Sequence, residues 1–142
     1  MAINIFFTAK APAQVTGQTA VFKKAALAAL GSAPAGLPVN LVFTGDAAIK
    51  ELNRRFLKKN RLTDVIAFNY PPSPAAGAVW GEIYICLPQA RRQAAAMGHA
   101  LMTELLILTV HGALHLAGMD DATAAQRRAM NRKSGVLLKK LV

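Results

Sequence analysis

Residues 101–117 run LMTELLILTVHGALHLA, seventeen positions in which Glu104, His111 and His115 are the only ionisable groups. A stretch this apolar must be buried, yet three ionisable groups make the hydrocarbon of a bilayer a poor host for it. It predicts a long helix running through a protein core, and every other element has to cover it. With 142 residues, 54% of them hydrophobic, the chain has the material to do so. Residues 1–142 are expected to form one domain that needs no disulfides, and the composition excludes a disordered or collagen-like chain.

The covering elements follow from spacing. Residues 3–8 (INIFFT) are β-branched and aromatic, and Pro12 in the following segment breaks them into a strand and a loop. Apolar positions recur at helical intervals over 18–30, and 39–44 alternates as a strand. Asp46 is placed to N-cap a helix with Ile49, Leu52 and Phe56 on its apolar face, fraying near Lys58. Strands are expected over 65–70 and 79–87, separated by PPSPAAG, which cannot continue a ladder. Helices follow over 88–97, 101–117 and after Asp121, with Gly98 and Gly118 where helix ends favour a left-handed residue. The order β-α-β-α-β-β-α-α-α predicts an α+β fold, a mixed four-stranded sheet packed with about five helices.

Charge narrows the partners. Seventeen Lys and Arg against seven Asp and Glu give a net charge of +10, which draws polyanions and puts nucleic acid first. Arg54, Arg55, Lys58, Lys59 and Arg61 form one basic group. After Asp121 no acidic residue remains, while Arg127, Arg128, Arg132, Lys133, Lys139 and Lys140 follow, a one-signed stretch that fits an anionic partner. No aromatic RNA-stacking motif is present, so base-specific readout is not expected. The lone cysteine, Cys86, lies in an apolar run and points to a reducing compartment. The N-terminus lacks the charged region and long apolar stretch of a signal peptide, and a cytoplasmic location is expected.

The chemistry gathers at 111–121, HGALHLAGMDD. His111 and His115 are four apart, so on a helix their imidazoles share one face. Gly118 lets the chain turn back, and Asp120 or Asp121 can add a third donor to a divalent metal, placing the site near the C-terminal end of the long core helix. The plainer alternative makes both histidines core residues and Asp121 the cap of the next helix; two desolvated imidazoles without a purpose are costly, which favours the metal. A zinc peptidase of the H-E-x-x-H type is disfavoured, because Gly112 stands where its general base belongs. Glu104, seven residues before His111 and roughly 10 Å along the axis, is too far to join the donors; it could orient a group behind them, but is expected to face solvent. His99 is expected at the surface, and Asp64 as a strand-start carboxylate.

This stretch resembles the signature H-G-x-L-H-L-x-G-Y-D-H of the YbeY family, single-domain endoribonucleases that mature ribosomal RNA. Here it stands as His111, Gly112, Leu114, His115, Leu116, Gly118 and Asp120, with Met130 at the expected distance. LNRRF at 52–56, TDVIAF at 63–68 and WGEIYIC at 80–86 are similar to three further blocks of that family. The resemblance implies a cytoplasmic enzyme with one zinc per chain on His111, His115 and Asp121. It would cleave single-stranded RNA in ribosome maturation and quality control, without DNA or a membrane as partner.

Three positions depart from the family. Asp121 replaces its third histidine ligand, and the added negative charge weakens the acidity of a bound water. Leu57 stands where the family has an arginine, so Arg55, two residues earlier, or Lys59 is the substitute; Arg55 is the candidate catalytic cation, though an i,i+4 pair with Glu51 would also account for it. Met119 replaces a tyrosine and is assigned packing. RNA contacts are expected from Arg54, Lys58, Lys59 and Arg61. The competing function is an RNA-binding ribosome-assembly factor with a structural metal and little or no hydrolysis.

Overall fold

A computed structural model describes residues 2–31, 36–57, 63–71 and 73–141, of Leu57 the backbone only. The elements run β1 (Ile3–Phe7), α1 (Ala13–Thr16), α2 (Thr19–Leu30), β2 (Val39–Thr44), α3 (Asp46–Leu52), a π-helical turn (Asn53–Leu57), β3 (Val65–Asn69), β4 (Gly81–Cys86), α4 (Leu87–Met97), α5 (Leu101–Leu116) and α6 (Ala124–Lys139). The fold is α+β, and its four strands form one mixed sheet in the order β1-β2-β4-β3. β1, β2 and β4 are parallel, and β3 runs antiparallel at the edge. The helix beyond the expected five is α1, a single turn that Pro12 opens with its extended backbone.

Side-chain alternation gives the sheet two faces. Ile5, Leu41, Ile83 and Ala67 share one cross-strand row, as do Phe7, Phe43, Ile85 and Val65. These rows meet α2 and α5 in the main core, where Phe22 packs on Phe43 at 4.9 Å. On the other face Asn4 donates to Asn40, and Asn40 to Glu82, while α3 covers Ile66 and Cys86 with Ile49. β2 was expected to alternate, but five of its six residues are buried, because it is an interior strand covered on both faces.

The apolar run is α5, packed against α2, α4, α6, β3 and β4. No single described helix is long and apolar enough to cross a membrane. The helix predicted from Asp46 to near Lys58 is α only to Leu52 and then widens into the π turn. Its N-cap is Gly45, not Asp46. The Asp46 carboxylate instead accepts hydrogen bonds from Arg92 at 2.8 Å and from the Cys86 thiol at 3.2 Å, and it still favours the helix start by its charge.

Candidate metal centre

α5 delivers two donors and its termination delivers the third. The helix ends at Ala117, and Gly118 takes φ 103°, the left-handed region that an L side chain resists. The Gly118 N–H donates to the His115 carbonyl and the Met119 N–H to the Leu114 carbonyl, both at 3.0 Å, which is a Schellman closure. Met119 then packs on the main core, as its packing assignment expects. The chain is thereby turned back along the face that carries the histidines.

Of the two acids left open by spacing, Asp121 is the one that points at them. Asp120 accepts the Asp121 N–H at 2.8 Å, and it is the Asp121 carboxylate that lies with His111 and His115. Nor is Asp121 the cap of α6. That role belongs to Thr123, whose hydroxyl accepts from the Gln126 N–H while the Gln126 side chain accepts from the Thr123 N–H, a complete capping box.

The donor atoms form a small triangle. His111 Nε2 and His115 Nε2 are 3.0 Å apart, and each is 3.4 Å from Asp121 Oδ2. Donors placed about 2.0–2.2 Å from a tetrahedral ion stand roughly 3.3–3.6 Å from one another, so the two edges to Asp121 match a four-coordinate divalent metal with one open position and the His111–His115 edge would widen by about 0.3 Å to receive it. Burial, with His115 next to it, holds His111 below the usual imidazole range, against the pull of Asp121 and Asp64. A neutral imidazole is the form that ligates. A groove of about 280 Å³, lined by Val65, Ile66, Ala67, Asn69 and His115, leads along the edge strand to the donors. A larger one of about 440 Å³, lined by Asn40, Tyr70 and Glu82 among others, contains none of them.

Gly112, between the histidines, faces the sheet. A Cβ there would lie 2.6 Å from Ile83 Cγ2 and 3.2 Å from Val65 Cγ2. The absent peptidase base is therefore a packing requirement, since α5 sits too close to β4 for any side chain at this position.

Glu104 does not face solvent. It is 6% exposed and accepts from the Gln93 side-chain amide at 3.0 Å, with His99 Nε2 at 3.5 Å. The same Gln93 nitrogen donates to Asp64 at 3.2 Å, so one amide serves carboxylates from the start of β3 and from α5. His99, expected at the surface, is half-buried against this network for the same reason. Asp64 does open a strand, accepting the Val65 N–H at 2.8 Å.

The basic residues divide. Glu51 pairs with Arg54, at 2.6 and 3.1 Å, and not with Arg55 as its i,i+4 spacing allows. The exposed Arg55 guanidinium lies 5.4 Å from the Phe56 ring centre. Lys58, Lys59 and Arg61 lie outside the described residues, as does the Leu57 side chain.

Cys86 is fully buried, and that burial, aided by Asp46, pushes its thiol up to about 11. Only the thiolate reacts at a useful rate, so iodoacetamide at pH 8 is expected to leave the native chain unlabelled and to label it in denaturant. Labelling of the native chain within minutes would mean that the end of β4 opens.

Comparison with known proteins agrees with this geometry. The family described as Endoribonuclease YbeY matches residues 8–142. An Endoribonuclease YbeY of Elusimicrobium minutum is 40% identical over 144 residues, 99% of this chain and 100% of that one. One from Geobacillus kaustophilus is 36% identical over 126 residues, 78% of this chain and 77% of the relative. A Thermotoga maritima protein solved in solution superposes with a TM-score of 0.64 at 26% identity, over 98% of this chain and 88% of that one. With a match over all but the first seven residues and a relative aligned over its whole length, the chain belongs to the YbeY family.

Proposed function

We propose that this protein is a metal-dependent endoribonuclease acting on single-stranded RNA in ribosomal RNA processing, in the cytoplasm, with one zinc per chain. The observation that carries the reading is the 3.0, 3.4 and 3.4 Å triangle of His111, His115 and Asp121 in a chain of the YbeY family. When bound, zinc supplies Lewis acidity for phosphodiester hydrolysis. The two imidazoles and the carboxylate would hold it, and the groove along β3, which His115 also lines, would receive an RNA strand beside them. Nearby cations offset charge that builds on the phosphate. Arg55, two residues before the family's missing arginine, is the candidate: Arg54 takes the hydrogen bonds of Glu51, which leaves the Arg55 guanidinium with a Coulombic pull from that carboxylate but no hydrogen bond to it. Arg54, Lys58, Lys59 and Arg61 stay candidates for phosphate contact, Arg54 the weaker for its partner.

Asp121 itself favours a second reading, an RNA-binding assembly factor with a structural metal, because a third ligand carrying negative charge weakens activation of water. Mass spectrometry of tag-free protein and of Asp121→Ala separates the two when combined with an RNA cleavage assay. About one zinc per chain, lost in the variant along with metal-dependent cleavage, is the expected result. Metal retained without turnover would favour the assembly factor, and no metal after zinc is supplied would remove the three-donor site.

A further inference from the structure

We propose that the exposed face of α6 binds the phosphodiester backbone of single-stranded RNA and leads it toward the Asp121 turn; the proposal rests on the nuclease reading above. Arg128, Arg132 and Lys139 are spaced by four and seven residues, so they share one face of the helix and span roughly 16 Å. Packing fixes that face outward, because Met130 and Leu137 are buried on the opposite side.

Two observations tie this stripe to an anionic ligand and to the candidate site. α6 contains no acidic residue, so Arg128 and Arg132 repel one another at i,i+4 with nothing on the helix to offset it. Arg54 and Arg92 are by contrast neutralised by Glu51 and Asp46. At the near end Arg127 donates to the main-chain carbonyls of Asp121 at 3.4 Å and Ala122 at 3.3 Å. Those acceptors are neutral, so the guanidinium charge is anchored in the turn that carries the third donor.

The chemistry selects nucleic acid over lipid. The apolar side of α6 is covered by the core apart from the exposed Val136, and that one side chain is little to insert into a bilayer. The helix has no aromatic residue on which a base could stack, so binding is read through phosphates, independent of sequence and steeply dependent on salt.

The test is fluorescence anisotropy with a labelled oligouridylate of about twelve nucleotides, in EDTA, over roughly 50–300 mM KCl. The double variant Arg128→Gln/Arg132→Gln is compared with Lys23→Gln/Lys24→Gln, which removes the same charge from the exposed side of α2. Two lost phosphate contacts are expected to flatten the logarithmic salt slope by about 1.4 and to weaken binding roughly ten- to thirtyfold at 0.1 M salt, with the α2 pair close to wild type. Equal slopes in the two variants, no binding by the wild type, or equally tight binding to phosphatidylserine vesicles would each overturn the proposal. Cleavage of the same RNA by metal-loaded wild type tests the nuclease reading separately. Cleavage with unaltered slopes defeats only the α6 surface, whereas an α6-dependent slope without cleavage defeats only the nuclease.

Discussion

The His115→Ala variant is expected to purify with less than about a tenth of the wild-type metal and to cleave RNA at least a hundredfold more slowly, with its circular dichroism unchanged. His115 Nε2 is common to two edges of the donor triangle, 3.0 Å from His111 and 3.4 Å from Asp121. Its removal leaves two donors that cannot define a tetrahedral site. The side chain is 29% exposed, so truncation opens no core cavity and the fold should survive. Metal content by mass spectrometry and cleavage of a labelled oligonucleotide check the two halves of the expectation. Undiminished cleavage would detach the activity from this triangle.

Gly112→Ala should be damaging for a different reason. The added methyl arrives 2.6 Å from Ile83 Cγ2, in a part of the core where Ile83 is fully buried and cannot swing aside. Overpacking of this kind costs about 1–3 kcal/mol, which for a chain of this size lowers Tm by roughly 6 °C. α5 must also shift away from β4, and the histidines on either side of residue 112 shift with it, so metal content is expected to fall as well. Calorimetry with metal analysis reads both effects. A Tm within 1 °C of wild type would mean that the helix stands farther from the sheet than this packing requires.

The donor set was legible in the sequence because its members lie within one short motif, where helical spacing and a glycine turn fix their relations. Even so, spacing left Asp120 and Asp121 open, because the chain between α5 and α6 is not helical and spacing does not fix its path. Four strands and five of the helices were equally legible from periodicity, with the widened turn at Asn53–Leu57 as the main departure. Glu104 was misread because its partner, Gln93, belongs to another helix, and Gln93 reaches Asp64 across 29 residues of sequence. Periodicity says that a carboxylate lies on a given stripe, but not that an amide waits there to receive it. The pairing of Arg54 with Glu51 and the clash stored behind Gly112 are likewise matters of side-chain placement.

The tight turn that joins α5 to Asp121 also bears on how the protein would depend on its ion. All three donors fall within eleven consecutive residues, so a metal that bridges them closes only a short loop and removes little freedom from the unfolded chain. An unfolded HGALHLAGMDD segment would keep the same donors close together and compete for the ion, which reduces the stabilisation that binding gives the native state. Affinity for metal and resistance to heat are therefore separable in this architecture. A chelator should therefore remove the ion and leave in place both α6, held through Met130 and Leu137, and the sheet, held through Leu41, Phe43, Ile83 and Ile85.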